Sequence, residues 1–195
     1  MDRSRLVLVT GGVRSGKSRF AEELAASWGG EVVYVATARV TDEEMAARVA
    51  RHKARRPERW ITVEEPLALV EAIAEWGKRG RVLLVDCLAV YVGNLLVEEG
   101  LGEEEVVARL REVALRAQES PADVIVVSNE VGLGVVPPYP VGRLYRDLLG
   151  LANQEVANRA DAVYLVVCGL PVEIKSLAAR WYVEGREGKL YGRET

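Results

Sequence analysis

Residues 11–18 have the types and spacing of a loop that binds phosphate groups. The backbone N–H groups of such a loop, and the positive end of the helix that follows it, surround the phosphates. Lys17 would add a positive charge to the outer phosphates, and the Ser18 hydroxyl would be a ligand of Mg²⁺. A glycine-rich turn that binds nothing is the alternative, but the preceding strand, the lysine and the serine all favour a nucleoside triphosphate site. The residues of this phosphate loop are Gly11, Gly12, Val13, Arg14, Ser15, Gly16, Lys17 and Ser18.

Asp86 is the candidate for a second metal ligand. It directly follows the apolar run 82–85, as the second carboxylate of a phosphate-loop site would, where it holds Mg²⁺ or its water shell. The alternative is a carboxylate that caps a helix or stabilises a turn, because acidic residues often follow strands.

His52 is the only histidine in the chain, so any imidazole chemistry depends on it. It lies in a basic stretch whose cations would bind a triphosphate and would also disfavour protonation of the ring. A neutral imidazole beside a neutralised phosphate is suited to attack on phosphorus. The alternatives are an ordinary surface or core histidine and a basic helix face that is simply solvated. The cations of the stretch are Arg48, Arg51, Lys53, Arg55 and Arg56.

Two further stretches carry polar residues at strand ends. Glu64 and Glu65 follow a short predicted strand and could contact a nucleotide hydroxyl or a metal, or could be exposed turn carboxylates. Asn129 and Glu130 suggest a position that contacts substrate or senses phosphate, and the glycines after them permit a tight loop. Residues 137–140 are predicted to form a stiff surface loop that could border a substrate cleft.

Apolar runs alternate with helical patterns along the chain. The predicted strands are residues 5–10, 31–37, 60–64, 81–86, 123–128 and 162–168. The predicted helices are residues 18–27, 41–54, 67–78, 88–97, 103–119 and 145–158, the second with Thr41 and Glu44 as a capping box. Residues 176–195 could form a hairpin or a partly disordered end.

This alternation predicts an α/β fold with three layers, in which a mostly parallel central sheet has helices on both faces. Ligands of such folds bind at the carboxyl ends of the strands. We expect Thr10, Thr37, Asp86 and Ser128 to surround one crevice there. Residues 1–175 are predicted to form a single nucleotide-binding catalytic domain of the phosphate-loop NTPase class, followed by a C-terminal extension.

Composition excludes several classes of protein. A net charge of −3 argues against a general nucleic-acid surface. No apolar run approaches the roughly 20 residues that span a bilayer, and the chain runs directly into its first strand without a signal peptide. The two cysteines have no metal-binding spacing and indicate free thiols in a reducing compartment. We therefore expect a cytoplasmic protein with no membrane insertion.

Four stretches together give the chain a resemblance to a known family: residues 9–18; residues 42–53 with Arg56, Pro57 and Trp60; residues 128–137; and residues 153–175. They resemble the bifunctional adenosylcobinamide kinase / adenosylcobinamide-phosphate guanylyltransferase family of cobalamin biosynthesis. The phosphate loop alone is unspecific, but the His-Lys…Arg-Pro…Trp segment and the Asn-Glu-Val-Gly segment are distinctive in combination.

The resemblance implies two reactions on one scaffold. ATP or GTP phosphorylates the aminopropanol hydroxyl of adenosylcobinamide, and GTP then transfers GMP to the histidine that matches His52, with release of pyrophosphate. The phosphorylated corrinoid displaces the histidine and forms adenosylcobinamide-GDP. The resemblance also implies a RecA-like fold, Mg²⁺ and a homo-oligomer, in known structures a trimer. Its nucleotide contacts match the phosphate loop and Ala36, Thr37, Ala38, Lys53, Ala54, Arg55, Arg56, Glu64 and Asp86.

Two other functions stay open from the residues. One is a phosphate-loop kinase of another small alcohol, in which His52 only binds phosphate. The other is a nucleotide-dependent switch that binds a partner protein, although no linker or exposed apolar helix supports it. A GMP adduct on His52 is expected of the bifunctional enzyme alone.

Overall fold

The computed structural model describes residues 4–39, 53 and 56–179. The strands are β1 (Leu6–Gly11), β2 (Glu31–Ala36), β3 (Ile61–Glu64), β4 (Arg81–Asp86), β5 (Asp123–Val127), β6 (Ala162–Val167) and β7 (Leu170–Glu173). The helices are α1 (Lys17–Ser27), α2 (Leu69–Trp76), α3 (Leu88–Val97), α4 (Glu103–Glu119) and α5 (Pro140–Arg159). The predicted capping box, the rest of the helix at 41–54 and the C-terminal hairpin lie outside the described residues.

The seven strands form one sheet in the order β3-β2-β4-β5-β1-β6-β7. All neighbouring pairs are parallel except β6 and β7, which are antiparallel. Every residue of β1 is buried, so both faces of the sheet are covered at its centre. This confirms the predicted α/β fold with a mostly parallel sheet.

The helices follow from their apolar stripes. In α4 the buried residues recur at helical spacing, and the first turn carries three glutamates that complement the positive end of the helix. Helix α1, whose first two residues are the last two of the phosphate loop, packs against β1, β4 and β5. Within the described part of the chain, no helix combines the length and the apolar character needed to cross a bilayer.

Two elements differ from the sequence-based expectation. Helix α5 begins at Pro140 instead of Tyr145, so part of the predicted stiff loop is the first turn of a helix. Proline is well suited to that position because it lacks only an N–H that has no partner there. Strand β7 was not predicted; it returns along β6 through the two-residue turn Cys168-Gly169, in which both residues have positive φ.

Candidate active site

The phosphate loop links β1 to α1, as its sequence predicts. A Cβ atom on Gly11 would lie 2.4 Å from the carbonyl oxygen of Val166 on the neighbouring strand, so only glycine allows this close approach. Gly16 has φ of +97° and precedes α1, whose first turn contains no acidic residue. The positive end of the helix is therefore not neutralised from within its first turn and is suited to bind phosphate.

Lys17 and Ser18 occupy the first turn of α1. The Lys17 Nζ donates a hydrogen bond to the Gly12 carbonyl oxygen at 3.2 Å, which holds the side chain along the loop. Both residues are half-buried. Their contacts with the outer phosphates and with a metal ion stay predictions.

Neighbouring segments hold the loop in place by backbone hydrogen bonds. The Glu130 N–H, just after β5, donates to the Gly11 carbonyl oxygen at 3.0 Å. The Gly169 N–H, in the β6–β7 turn, donates to the Ser15 carbonyl oxygen at 2.8 Å. Because both partners extend from strands of the sheet, the sheet fixes the shape of the loop before any ligand binds.

Asp86 ends β4 at the same edge of the sheet. Helix α3 begins two residues later with Cys87 as N-cap, and no side chain caps it. The alternative interpretation of Asp86 as a helix cap is therefore wrong. Its Oδ2 instead accepts a hydrogen bond from the Tyr34 hydroxyl at 2.7 Å.

Asp86 and the phosphate loop offer the oxygen donors that Mg²⁺ prefers. Magnesium in nucleotide sites is usually held by one or two carboxylates together with the substrate phosphates. No group of three or more His, Cys, Asp or Glu residues that could hold a metal by itself occurs in the described ranges. Ser15 Oγ is buried and makes no hydrogen bond to any described residue, which leaves a further oxygen within the loop itself.

Two of the four residues expected to surround the crevice have a different role. Thr37 is completely buried, and its hydroxyl both donates to the Cys87 carbonyl oxygen and accepts from the Cys87 N–H, each at 2.8 Å. Ser128 is also completely buried and donates to Asn153 Oδ1 at 2.5 Å. The expectation that these two side chains line the crevice is wrong: both join the ends of the strands to neighbouring elements.

In the segments that follow β2 and β3, some of the predicted site residues stabilise the fold and others are exposed. Glu65 Oε1 accepts the N–H groups of Leu67 and Ala68 at 3.1 and 2.8 Å, so it supports the start of α2. Glu64 is exposed at the end of β3, paired in register with the half-buried Ala36. Ala38 is half-buried as well. Of the two glutamates, Glu64 is therefore the one whose exposed carboxylate can contact a ligand.

The basic segment is only partly described. His52, Ala54 and Arg55 lie outside the described residues. Lys53 is exposed, whereas the Arg56 side chain is turned inward with 7% of its surface exposed and its guanidinium 3.2 Å from the centre of the Tyr34 ring. Arg56 is thus part of a buried cluster behind Asp86. Of the two described cations in this segment, Lys53 is the one whose side chain faces the solvent.

Sequence reasoning missed three supporting residues. Tyr34 contacts Asp86, as described above. Asn94 is buried in α3 and donates from Nδ2 to the carbonyl oxygens of Thr37 and Pro66 at 2.9 and 3.0 Å. Asn153 donates to the Asn129 carbonyl oxygen at 3.0 Å. A polar residue within an otherwise apolar stretch is the signal that marks Tyr34 and Asn94.

Burial and charge also govern the acidity of groups near the site. Burial, followed by the nearby Asp86 carboxylate, raises the pKa of the Cys87 thiol to about 12. The same two causes, in the same order, raise the pKa of Tyr34 well above its ordinary value. Both groups therefore stay protonated at neutral pH, and Tyr34 can act only as a hydrogen-bond donor to Asp86.

A cavity of about 740 Å³ lies at the opposite edge of the sheet, where β1, β4 and β5 begin. Its lining includes Arg5 and Asp123, which form an ion pair at 2.8 Å, and the Trp28 ring, which stacks on Arg5 at 3.9 Å. This cavity is separate from the phosphate loop and plays no part in the site described above.

Comparisons with known proteins identify the relatives of this chain. The family model described as cobinamide kinase / cobinamide phosphate guanyltransferase matches residues 7–174. The chain is 46% identical to the bifunctional adenosylcobalamin biosynthesis protein CobP of Pseudomonas aeruginosa, over 86% of this chain and 96% of that protein. It is 40% identical to the bifunctional adenosylcobalamin biosynthesis protein CobU of Escherichia coli strain K12, over 87% of this chain and 99% of that protein.

The sheet also has a counterpart among solved structures. An ATPase from the type III secretion system of pathogenic bacteria is similar with a TM-score of 0.51 and 12% identity, over 94% of this chain and 61% of that one. At this identity the similarity concerns the fold alone, and it agrees with the phosphate-loop NTPase architecture.

The family match spans the phosphate loop, Asp86 and the sheet that joins them, and the sequence identity extends over most of the chain. The chain therefore belongs to the cobinamide kinase / cobinamide phosphate guanyltransferase family.

Proposed function

We propose that this protein is a bifunctional enzyme that phosphorylates adenosylcobinamide with ATP or GTP and then converts the product to adenosylcobinamide-GDP. Membership of a family described by both activities carries this proposal. A preformed phosphate loop with Lys17 and Ser18, at the same edge of the sheet as Asp86, supports a nucleoside triphosphate and Mg²⁺ as its ligands.

In the kinase step the corrinoid hydroxyl oxygen attacks the γ-phosphorus, and the nucleoside diphosphate leaves with the bond electrons. The hydroxyl proton is released in the same step. Lys17 and the N–H groups at the start of α1 stabilise the charge that develops on the phosphate oxygens. Ser18 and Asp86 are the proposed ligands of Mg²⁺, which would neutralise negative charge on the phosphates.

In the guanylyltransferase step the neutral imidazole of His52 attacks the α-phosphorus of GTP. A P–N bond forms, the bond to the bridging oxygen breaks, and pyrophosphate leaves. A phosphate oxygen of the phosphorylated corrinoid then attacks the same phosphorus, and the P–N bond electrons return to the ring. His52 is assigned from the family resemblance, with Lys53 as a neighbouring cation.

A surface beside the phosphate loop is suited to the corrinoid. Residues 131–139, here named the apolar loop, carry exposed apolar side chains, among them Leu133 (89% exposed) and Val135 (94%). The loop is braced from α5: Arg143 donates to the carbonyl oxygens of residues 137 and 138, and Arg146 donates to that of Gly132. An ordered apolar surface of this kind is typical of a binding site. It supports an assignment of the apolar loop to the corrinoid ring.

The same proposal includes a magnesium-dependent enzyme in the cytoplasm that assembles as a homo-oligomer, a trimer by family resemblance, and that needs no nucleic acid. Residues 1–175 would be its catalytic domain and residues 176–195 an extension.

The deciding experiment is the mass of the pure protein after incubation with GTP and Mg²⁺, followed by peptide mapping. We expect a GMP adduct that is labile to acid and hydroxylamine, located on the peptide that contains His52 and missing in His52→Ala. If GTP binds and no adduct forms, the covalent mechanism is refuted and a simple kinase of a small alcohol takes its place.

A further inference from the structure

Four side chains form a buried cluster behind the phosphate loop. Tyr34 lies on β2 and is 3% exposed, and Asp86 ends the neighbouring β4. Glu22 lies on α1, five residues after Lys17, and Arg56 follows the basic segment. The cluster joins three parts of the site: the helix of the phosphate loop, the candidate metal ligand and the chain that leads from His52.

Tyr34 restricts the orientation of the Asp86 carboxylate. Its hydroxyl donates to Oδ2 at 2.7 Å, and this is the side-chain donor that Asp86 has among the described residues. A carboxylate has two oxygens that accept hydrogen bonds or bind a cation. With Oδ2 held by the buried Tyr34 hydroxyl, Oδ1 is the oxygen left for a ligand.

Arg56 in turn holds Tyr34. Its guanidinium stacks on the Tyr34 ring at 3.2 Å from the ring centre. The Arg56 Nε lies 3.9 Å from Glu22 Oε1, and the two side chains are 7% and 12% exposed. Charges this deeply buried are retained only when they face an opposite charge, because desolvation is costly. The Arg56 charge therefore faces Glu22, and its guanidinium covers one face of the Tyr34 ring.

The charge of the cluster also suits a cation. Glu22 and Asp86 are acidic, and Arg56 is the cation among the four side chains. Arg56 faces Glu22, so the remaining negative charge of the cluster lies on Asp86 at the end of β4. Without Arg56, the cluster would lose its cation and keep both carboxylates behind a site that must accept a triphosphate.

We propose that Tyr34, held by Arg56, is a positioning residue that orients Asp86 toward the divalent cation of a bound metal–triphosphate complex. This inference rests on the proposed function in one respect, the binding of such a complex at the phosphate loop. It does not depend on transfer of GMP to His52, and it assigns no contact between Tyr34 and the substrate.

The test measures metal affinity instead of turnover. Mn²⁺ is titrated into the protein saturated with a GTP analogue whose α,β-bridge is methylene and which cannot transfer its GMP, and free Mn²⁺ is followed by electron paramagnetic resonance. In Tyr34→Phe, which removes only the hydroxyl, we expect the Mn²⁺ dissociation constant to rise about tenfold, as for the loss of one charge-assisted hydrogen bond. Affinity for the analogue without metal is expected to change less than about twofold.

Tyr91→Phe is the matched control. Tyr91 is also completely buried, but its hydroxyl makes no hydrogen bond to any described residue. We expect wild-type Mn²⁺ affinity in this variant. Thermal unfolding of both variants shows whether each is folded under the conditions of the titration.

A folded Tyr34→Phe protein with wild-type Mn²⁺ affinity would overturn the proposal, as would an equal loss in Tyr91→Phe. If Tyr34→Phe does not fold, the Mn²⁺ affinity of Arg56→Lys tests the proposal in its place. This variant keeps the positive charge but loses the planar stack, and an unchanged Mn²⁺ affinity there would overturn the proposal instead. A wild-type protein that binds Mn²⁺ and the analogue but forms no GMP adduct with GTP would refute the transferase step and leave this inference standing.

Discussion

The N–H of Gly169, in the β6–β7 turn, donates a hydrogen bond to the carbonyl oxygen of Ser15 in the phosphate loop. The two segments are so close that a Cβ on Gly16 would lie 3.2 Å from the Gly169 Cα. The turn is distant from the phosphate loop in sequence but packs directly against it in the structure. Strand β7 thus has a structural role in the site, since it returns the chain along β6 and fixes the turn.

The glycines of the phosphate loop provide a first prediction. Gly11→Ala would place a methyl group 2.4 Å from the Val166 carbonyl oxygen, and φ at Gly11 is +157°. We expect this variant to lose about 2–3 kcal/mol of unfolding free energy, as for other strained backbone positions. Gly12→Ala is the control because a Cβ there meets no atom within 4 Å. Denaturant unfolding of both variants measures the difference, and equal stability would contradict the model of the loop.

A second prediction concerns two buried threonines at the carboxyl ends of β1 and β2. Thr37→Val leaves both backbone groups of Cys87 without their buried partner, so we expect a loss of about 1–3 kcal/mol in unfolding free energy. Thr10 is also buried, but its hydroxyl makes no hydrogen bond to any described residue. Thr10→Val should therefore be neutral within about 0.5 kcal/mol. Chemical denaturation of the two variants in parallel provides the comparison, and the opposite ranking would refute the assignment of Thr37 as the supporting residue.

The two thiols should differ in reactivity. Cys168 is exposed in the β6–β7 turn, whereas Cys87 is buried and its pKa is raised to about 12 by burial and by Asp86. Because the thiolate is the reactive form, iodoacetamide at pH 8 should modify Cys168 and leave Cys87 intact until the protein unfolds. Intact mass and peptide mapping, with and without denaturant, test this. Rapid labelling of Cys87 in the folded protein would show that the end of β4 is more open than described.

A fourth prediction concerns Glu173, the last residue of β7, whose carboxylate should make the free energy of unfolding depend on pH. Burial is the largest single influence and raises its pKa, but hydrogen bonds from Ser176 and from the N–H groups of Val163 and Lys175 together lower the pKa to about 2. A carboxylate with a lowered pKa stabilises the folded state fully above its unfolded pKa of about 4.3, and this stabilisation is lost as pH falls through about 2.

We therefore expect Glu173→Gln to be less stable than wild type at pH 7 by about 1 kcal/mol, less than the full shift implies because solvent screens this group. The difference should shrink between pH 4.3 and pH 2. Denaturant unfolding at several pH values follows it, and a constant difference across this range would rule out the carboxylate as its cause.

The apolar loop can be tested separately from nucleotide chemistry. Leu133→Ser removes an apolar side chain that is 89% exposed, so its folding cost should be small. We expect KM for the corrinoid to rise several-fold, while formation of the GMP adduct without corrinoid stays unchanged. Leu177→Ser, at a site 73% exposed beyond β7, is the control and should leave both unchanged. If Leu133→Ser leaves the corrinoid KM unchanged, or changes the mass of the oligomer, the apolar loop has a role other than corrinoid binding.

The amino-acid sequence by itself determined the family, which the comparisons confirm, and the class of fold. It also predicted the bounds of β4, α3 and α4, because continuous apolar runs and helical periodicity are local signals. The phosphate loop could be read from eight adjacent residues, since its chemistry depends on backbone and side chains that are neighbours in the chain. The role of His52 is equally a prediction from sequence and resemblance, and the adduct experiment decides it.

Tertiary structure alone decided which polar residues support the site and which face it. Thr10 and Thr37 look alike in sequence, but only Thr37 lies opposite the Cys87 backbone, 50 residues away. Tyr34 meets Asp86 because β2 and β4 are neighbours in the sheet, although 52 residues separate them in the chain. Strand β7 has too short and irregular a pattern to be predicted, and it forms because β6 offers it an open edge. Contacts of this kind depend on the order of strands, which no local pattern of residues encodes.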